Sequence, residues 1–278
     1  MADQVVAVLG VGLVDPAVPV VHSDDVGLTR GDGCFEGCRV LDGAIDKLGA
    51  HLARMRRSAA ALGIDFDEDA WRALIAQATA AWQAPGEASM RWFLTRGRPG
   101  AAPTGIVTIG PIPAAYAAQR RDGIRVITLP RGLGYDAFDG APWLLGGVKT
   151  ISYAVNMAAQ REAARRGADD VIFVSSDGSV LEAPTSSVVW TLGDTMHTTP
   201  LGGTGILAGT TQQRLFEHAA ENGWRTATTL ARVDDLHAAD AVFLTGTVRG
   251  PVDVVDIDGR PHPRDLDLVA TVQKLAGF

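Results

Sequence analysis

The sequence predicts an α/β protein with mixed sheets and two domains. Its 278 residues suffice for one large or two ordinary domains, each with its own core. Strand-like apolar runs alternate with amphipathic helical patterns along the chain. One stretch rich in proline and charge interrupts this alternation. We therefore expect an N-terminal α/β domain over residues 1–112, a linker over 113–123 and a C-terminal domain over 124–278.

The N-terminal domain is expected to contain two helices after short β-type runs. Apolar residues recur at spacings of three and four over 48–62, which predicts an amphipathic helix ended by Gly63. A similar apolar stripe predicts a second helix over 68–82. Strand-like runs follow at 89–95 and 105–109.

The C-terminal domain is expected to be a second α/β domain, with helices and strands in alternation. Helices are predicted at 152–166, ended by Gly167, and at 210–222. The turn Ser176-Asp177-Gly178-Ser179 is typical of a hairpin connection to Val180-Leu181-Glu182. The predicted strands are 124–129, 170–175, 187–192, 196–199, 241–245 and 252–257.

Composition narrows the class of protein. The net charge of −7, from 25 basic and 32 acidic residues, argues against a nucleic-acid partner but not against a local basic pocket. No apolar run has the length of a membrane span, and Met1-Ala2-Asp3-Gln4 lacks a signal-peptide pattern, so we expect a cytoplasmic protein without a membrane partner. Cys34 and Cys38 have no second pair with which to hold zinc, which predicts reduced thiols and no metal site.

The apolar, glycine-rich segment Trp143–Tyr153 leads to Lys149. Desolvation lowers the pKa of a lysine, and the neutral amine can form a Schiff base. The alternative is a lysine at a strand end that reaches solvent, as most lysines do. A nucleotide phosphate loop is disfavoured because Val148, not glycine, precedes the lysine.

A second glycine-rich motif, near the N-terminus, does not match the pattern of a dinucleotide-binding site. Gly10-Val11-Gly12-Leu13-Val14-Asp15 nearly matches the dinucleotide fingerprint, but its third glycine is missing. Pro16 and Pro19 stand where the helix of that motif should begin. A nicotinamide site is therefore not expected.

Several parts of the sequence are suited to bind an anion or a charged ring. Gly209-Thr210-Thr211 opens a predicted helix, where free N–H groups favour a phosphate, and Gly246-Thr247 follows a strand. Arg54 lies beside the apolar stripe of its helix. Each has a structural alternative, as helix cap, turn or solvated face. Glu182 ends an apolar run, where a carboxylate needs a partner such as a protonated ring nitrogen, or else faces water at a sheet edge.

Six motifs in order resemble the fold type IV, or class IV, pyridoxal 5′-phosphate (PLP) enzymes. This family includes branched-chain and D-amino acid aminotransferases and aminodeoxychorismate lyase. The motifs are Arg30-Gly31-Asp32-Gly33-Cys34-Phe35-Glu36, His51-Leu52-Ala53-Arg54-Met55, Val148-Lys149-Thr150, the stretch from Gly178 through Glu182 to Ser187, Leu207-Ala208-Gly209-Thr210-Thr211 and Phe243-Leu244-Thr245-Gly246-Thr247. The resemblance implies two α/β domains with the cofactor in the cleft between them, and a homodimer.

The resemblance also implies roles for the cofactor-binding residues. Lys149 would hold PLP as an internal aldimine and move protons during catalysis, and Glu182 would pair with the pyridine N–H. Leu207 would pack against the ring, and Tyr153 and Ser187 stand near family positions that contact the cofactor. The phosphate ligands would be Arg54, Thr210, Thr211, Gly246 and Thr247.

The strand that contains Phe35, Glu36 and Arg39 is expected to contact the substrate. It resembles the corresponding strand of branched-chain aminotransferases. Arg91 is a candidate for the substrate carboxylate, with Arg96 as a second candidate. Three positions depart from common family patterns, because Ser152 and Ser187 replace asparagines and Tyr153 stands one residue early. The segment 149–156 resembles lyase-type members.

The leading hypothesis is a PLP-dependent aminodeoxychorismate lyase that releases pyruvate and p-aminobenzoate for folate synthesis. The alternative is a transaminase acting on branched-chain or D-amino acids, or on amines. The strand from Phe35 to Arg39 favours the transaminase, and the segment after Lys149 favours the lyase. An inactive binding protein of the same fold is disfavoured, because Lys149, Glu182 and Arg54 are all retained.

Overall fold

A computed structural model describes residues 4–278, which form two compact units. The prediction that the N-terminus lacks a signal-peptide pattern rests mostly on Met1–Asp3, which lie outside the described residues. The first unit contains the chain up to Pro113 and also Val148–Tyr153, and the second contains Ala114–Gly147 and Ala154–Phe278. The segment with Lys149 therefore belongs to the first unit, although its neighbours on both sides belong to the second.

The first unit is built on a six-stranded antiparallel sheet of order β2-β1-β6-β5-β3-β4. The strands are β1 (Val5–Val8), β2 (Gly12–Val14), β3 (Gly33–Leu41), β4 (Ala44–Ile45), β5 (Glu87–Thr95) and β6 (Thr104–Pro111). The helices are α1 (Val26–Arg30), α2 (Leu48–Leu62) and α3 (Glu68–Ala81). The two helices and two strands predicted for this part of the chain are confirmed.

The core of the first unit lies between the sheet and helices α2 and α3. Leu52 and Met55 of α2, Trp71 and Ile75 of α3 and Trp92 of β5 are completely buried in one cluster. Each such side chain contributes about 1.5–3 kcal/mol by leaving water. Helix α2 ends at Gly63, which has a φ of 61° that glycine adopts without strain.

The second unit is built on an eight-stranded mixed sheet. Seven strands follow the order β11-β10-β9-β12-β13-β7-β8, and β14 pairs with β13. The strands are β7 (Ile124–Pro130), β8 (Asp170–Val174), β9 (Ser187–Leu192), β10 (Thr195–Thr198), β11 (Arg225–Thr228), β12 (Ala241–Gly246), β13 (Gly250–Ile257) and β14 (Arg260–Pro261). The helices are α4 (Ala115–Asp122), a 3-10 turn (Pro142–Leu144), α5 (Ala154–Arg165), α6 (Thr210–Glu221), α7 (Val233–Ala238) and α8 (Leu266–Ala276).

Both faces of this sheet are covered. On β9, Val189 joins one cluster with Leu215 of α6 and Val272 of α8, while Val188 joins another with Leu236 of α7. Strands buried on both faces have continuous apolar sequences, which explains why the runs at 187–192 and 241–245 were recognisable. The predicted strands and helices of this domain are confirmed, with ends shifted by a few residues.

The stretch expected to be a linker instead contains helix α4. Pro113 and Gly123 bracket a run of alanine, glutamine and arginine, all of which are good helix formers. The proline and glycine thus mark the two ends of a helix in the second unit. Among the helices of residues 4–278, none combines the length and apolarity needed to span a membrane.

Candidate functional site

Lys149 lies on a short segment that pairs with the beginning of β3. The amide of Phe35 donates to the carbonyl of Lys149 across 3.0 Å, and the amide of Ile151 donates to the carbonyl of Gly33 across 3.0 Å. A side chain at position 33 would clash with the backbone of Leu94 and Thr95 on β5, so glycine permits the close approach of β3 and β5 at this point. The hydroxyl of Ser58 accepts from the Lys149 amide at 3.2 Å. The backbone of the lysine is thereby fixed.

The amine of Lys149 contacts two aromatic side chains. Its Nζ donates to the hydroxyl of Tyr153 at 3.2 Å and lies 4.3 Å from the ring centroid of Phe35. The rings of Phe35 and Tyr153 meet edge to face, with centroids 5.0 Å apart. All three residues are partly buried. The amine is therefore held at one place by a polar contact and an apolar wall.

Glu36 forms a buried cluster with His51 and Arg54 on the opposite face of β3 from Phe35. Nε and Nη2 of Arg54 donate to its two carboxylate oxygens at 2.6 and 2.8 Å. Nδ1 of His51 lies 2.8 Å from Glu36 Oε2 and donates to it, since a carboxylate only accepts. Glu36 and His51 are completely buried, and Arg54 is 5% exposed.

The charges in this cluster shift the pKa values. Burial would raise the pKa of Glu36, but the Arg54 guanidinium and the His51 hydrogen bond lower it to about 2. Burial lowers the pKa of His51, opposed by its hydrogen bond to Glu36. The cluster is thus an ion pair of Glu36 and Arg54 beside a neutral imidazole. Glu36 is bound as a structural anion, while its contact with a substrate stays a prediction.

The three arginines proposed for the substrate have different surroundings within the first unit. Arg39 is buried, with Nη1 3.1 Å from Glu87 Oε1. Arg96 binds Asp32 and donates to the carbonyl of Leu62 at 2.7 Å. Arg91 is exposed on β5 and is paired in register with Gly37 of β3, on the same face as Phe35. Arg91 therefore remains the best placed of the three for a substrate anion.

In the second unit, Glu182 lies at the end of the predicted hairpin, which is confirmed. The amides of Phe173 and Leu181 bond to the carbonyls of Glu182 and Phe173, each at 2.9 Å. The Oε2 atom of Glu182 accepts from the backbone N–H of Leu207 at 3.1 Å. The carboxylate is partly buried and held in a fixed direction.

Three threonine hydroxyls of the second unit converge at the start of α6. The hydroxyl of Thr247 lies 3.1 Å from that of Thr210 and 3.3 Å from that of Thr211. Gly209 stands at the N-cap, and a glycine has no side chain with which to cap the helix. A Cβ at this position would clash with the hydroxyl of Ser187. Hydroxyls and backbone N–H groups at a helix N-terminus form an anion-binding donor set.

The sequence did not single out some residues that support these groups. Ser58 holds the backbone of Lys149, and Arg249 donates to Asp170 at 2.7 Å and to Ser186 at 3.1 Å. The sequence signals that could have found them are a small polar residue on the apolar side of the 48–62 helix and an Asp at the start of the apolar run 170–175. The predicted contacts of all the candidate residues with a cofactor, including those of Arg54, Leu207 and Gly246, stay predictions.

The chain is similar to known proteins in both sequence and structure. The sequence model of the family described as amino-transferase class IV matches residues 33–257. A bifunctional aminodeoxychorismate lyase / D-amino acid transaminase from Mycobacterium tuberculosis is 42% identical over 262 residues, 91% of each chain. The PLP-bound structure of a hypothetical aminotransferase from Mycobacterium tuberculosis has a TM-score of 0.94 at 40% identity, covering 98% of each chain. A fold IV transaminase from Curtobacterium pusillum has a TM-score of 0.93 at 38% identity, covering 99% of this chain and 97% of that one.

Proposed function

Because the chain belongs to the amino-transferase class IV family, it is an enzyme that uses PLP, and we propose that it is an aminodeoxychorismate lyase. Its substrate is an amino acid or a related amine. In the proposed reaction, a proton is removed from the carbon that bears the amine, pyruvate leaves, and the remaining ring becomes p-aminobenzoate. Formation of the aromatic ring favours the later step, so the enzyme has mainly to position the amine and the proton acceptor.

The observation that carries the proposal is the placement of the Lys149 amine. Its Nζ lies 3.2 Å from the Tyr153 hydroxyl and 4.3 Å from the Phe35 ring centroid. A general base must be held within hydrogen-bonding reach of the proton it takes, in surroundings that limit its hydration. The two aromatic side chains hold the amine in place and limit its hydration, which supports a role for Lys149 as the general base.

The residues present fit the chemistry of PLP. The hydroxyls of Thr210, Thr211 and Thr247 and the N-terminus of α6 form a donor set for a phosphate, and Glu182 is a carboxylate suited to a pyridine N–H. When bound, the cofactor supplies an electron sink that stabilises negative charge on the substrate carbon.

We assign the following roles to side chains of this chain. Lys149 holds the cofactor and moves the proton at the substrate carbon, and Tyr153 orients its amine. Glu182, fixed by the Leu207 amide, pairs with the ring nitrogen. Arg54 is proposed as a further phosphate ligand, and Arg91 as the group that binds a substrate carboxylate.

A second candidate function is D-amino acid transamination. The relative from Mycobacterium tuberculosis that carries both activities in its name supports it, because the identity of 42% extends over 91% of each chain. The same amine can serve both reactions, since each begins with removal of a proton from the substrate carbon that bears the amino group. In a transaminase, Lys149 would also be the residue that delivers the proton needed to complete transfer of the amino group.

The test supplies purified protein and PLP with enzymatically generated aminodeoxychorismate, and follows pyruvate and p-aminobenzoate together. Release of equal amounts of both, lost in Lys149→Ala, is the expected result. Protein that carries the cofactor and releases neither product would contradict the lyase. A screen of D-alanine, D-glutamate and L-leucine as amino donors to 2-oxoglutarate would then test the alternative.

The attachment residue can be identified without a turnover assay. The sequence has three lysines, Lys47, Lys149 and Lys274. Borohydride reduction followed by peptide mapping should find the cofactor on Lys149 alone. Lys274→Ala, an exposed position in the last turn of α8, is the matched control and should retain the label on Lys149. Label on another lysine in Lys149→Ala would contradict the assignment.

We further propose that the enzyme works in the cytoplasm, as a homodimer in folate synthesis. The family resemblance supports the dimer, and the two unpaired, buried cysteines suit a reducing compartment. Light scattering of the purified protein tests the dimer directly.

A further inference from the structure

A three-residue loop carries one of the proposed phosphate ligands. Residues 247–249 connect β12 to β13, whose ends pair at Gly246 and Gly250. Thr247 opens this loop and directs its hydroxyl toward Thr210 and Thr211. A short hairpin loop is mobile unless its backbone groups are bound, so the groups that hold its carbonyls determine where Thr247 lies.

Arg120 of α4 binds the backbone of this loop. Its Nε donates to the carbonyl of Arg249 at 2.6 Å, and its Nη2 donates to the carbonyl of Val248 at 3.0 Å. These are the second and third residues of the loop. A planar guanidinium can bind two acceptors in a fixed relation to each other, which an ammonium group cannot do.

The end of helix α8 supports Arg120. The side-chain amide of Gln273 donates to the carbonyl of Arg120 at 3.0 Å, and the ring of Phe278 lies 5.0 Å from the centre of its guanidinium. Gly250 has a φ of 82°, and a Cβ there would come within 2.7–3.0 Å of the Phe278 ring. The ring therefore packs directly against the end of the loop and against the arginine that holds it.

The loop is held on its other side through the side chain of Arg249. This guanidinium binds Asp170 at 2.7 Å and Ser186 at 3.1 Å, and all three residues are buried. Arg249 thus anchors the loop by its side chain, while Arg120 anchors it by its carbonyl oxygens. While the two arginines hold the loop, the hydroxyl of Thr247 faces the start of α6.

We propose that Arg120 is a positioning residue for the phosphate subsite, acting through the carbonyls of Val248 and Arg249. This inference rests on the proposed function, because Thr247 matters only if it binds the cofactor phosphate. Arg120 fixes the loop before the cofactor arrives, so that binding need not order it. Its loss should then weaken the binding of a phosphorylated ligand and spare a ligand without phosphate.

The experiment compares the dissociation constants of PLP and of pyridoxal, which lacks the phosphate, for the full-length protein and its variants. Arg120→Ala should bind PLP about tenfold more weakly and pyridoxal within about twofold of the original protein. Arg121→Ala is the matched control, since this adjacent side chain is exposed and paired with Asp122. It should change neither constant. Thr247→Ala should weaken PLP selectively, as Arg120→Ala does.

The outcomes separate this inference from the proposed function. If Thr247→Ala lowers PLP affinity selectively while Arg120→Ala does not, the positioning role is wrong and the phosphate site stands. If Thr247→Ala leaves the ratio of the two constants unchanged, the phosphate site itself is wrong, and the inference falls with it. Arg120→Gln, which keeps one donor, carries the test if Arg120→Ala does not fold, as judged by circular dichroism. Equal weakening of PLP and pyridoxal in that variant would indicate a general loss of structure and overturn the inference.

Discussion

The amine of Lys149 donates a hydrogen bond to the hydroxyl of Tyr153, four residues further along the chain, across 3.2 Å. The two residues lie on one short segment, and the Phe35 ring contacts both of them. An amine held by a neighbour on its own segment keeps its direction when other parts of the molecule move. In the proposed function, the Tyr153 hydroxyl is therefore part of the geometry that orients the Lys149 amine for proton transfer.

Tyr153→Phe removes this hydroxyl and retains the ring that packs on Phe35. We expect kcat to fall about tenfold, the effect of losing one hydrogen bond to a charged group. Cofactor attachment to Lys149 should persist, as measured by borohydride trapping. Tyr116→Phe, a tyrosine of α4, is the control and should keep the original kcat. An unchanged kcat in Tyr153→Phe would show that the hydroxyl does not orient the amine.

Glu182→Gln keeps the size of the side chain and an oxygen that can accept from the Leu207 amide. We expect a loss of activity of about a hundredfold, because a neutral amide does not favour a protonated ring nitrogen. The unfolding free energy should change by less than about 1 kcal/mol, since the backbone hydrogen bond survives. Steady-state kinetics and urea unfolding measure the two quantities. Full activity in this variant would contradict the assigned role of the carboxylate.

Glu36→Gln tests the buried ion pair with Arg54. Removing one partner of a buried pair should reduce the unfolding free energy by about 3–5 kcal/mol, measured by urea unfolding at pH 7. Glu68→Gln is the control, because Glu68 pairs with Arg72 at the surface and should contribute less than about 1 kcal/mol. Comparable effects of the two substitutions would contradict the structural role of Glu36.

The same cluster predicts how stability depends on pH. The folded state lowers the pKa of Glu36 from 4.5 to about 2 and also lowers the pKa of His51. Both groups therefore bind protons more readily in the unfolded state, and their stabilising contributions are lost as the pH falls. We expect the loss from His51 to begin below pH 6.5 and the loss from Glu36 to occur between about pH 4.5 and 2. Only the second part should disappear in Glu36→Gln, when unfolding is followed over this range.

Cys34 and Cys38 should be inert in the folded protein. Burial and the nearby Glu36 carboxylate raise the pKa of Cys34 to about 12, and burial raises that of Cys38 as well. Since the thiolate is the reactive form, iodoacetamide at pH 8 should leave both unmodified until urea is added, when mass spectrometry should find two adducts. Modification of the folded protein would show that this part of the sheet opens.

Apolar periodicity predicts the main helices of both units, but it does not predict two others, α4 and α8. Helix α2 was predicted from its apolar spacing and from Gly63. Helix α8 has the same signals, with Asp265 as N-cap and Gly277 as C-cap, but was not predicted. Where helix α4 lies, the sequence predicts a linker, because the proline and glycine at the ends of the helix are typical of irregular structure.

The sequence predicts which residues form the candidate site, but it predicts few of the contacts between them. Lys149, Glu182 and the threonines could be chosen from motifs, yet the pairing of Thr150 with Cys34 joins residues distant in sequence. Such pairing depends on tertiary structure, which a local pattern does not contain. For the same reason, the sequence could not reveal that Glu36 is enclosed by Arg54 and His51, or that Arg120 binds the loop after β12.

The first unit is discontinuous in sequence, since Val148–Tyr153 joins it after Ala114–Gly147 has entered the second unit. During translation, the strands and helices up to Pro113 leave the ribosome well before this segment does. A nascent chain thus acquires Lys149, the proposed attachment residue, only after synthesis has passed beyond the first stretch of the second unit. Any product that terminates before residue 149 retains most of the first unit and lacks the lysine to which we propose that the cofactor is attached.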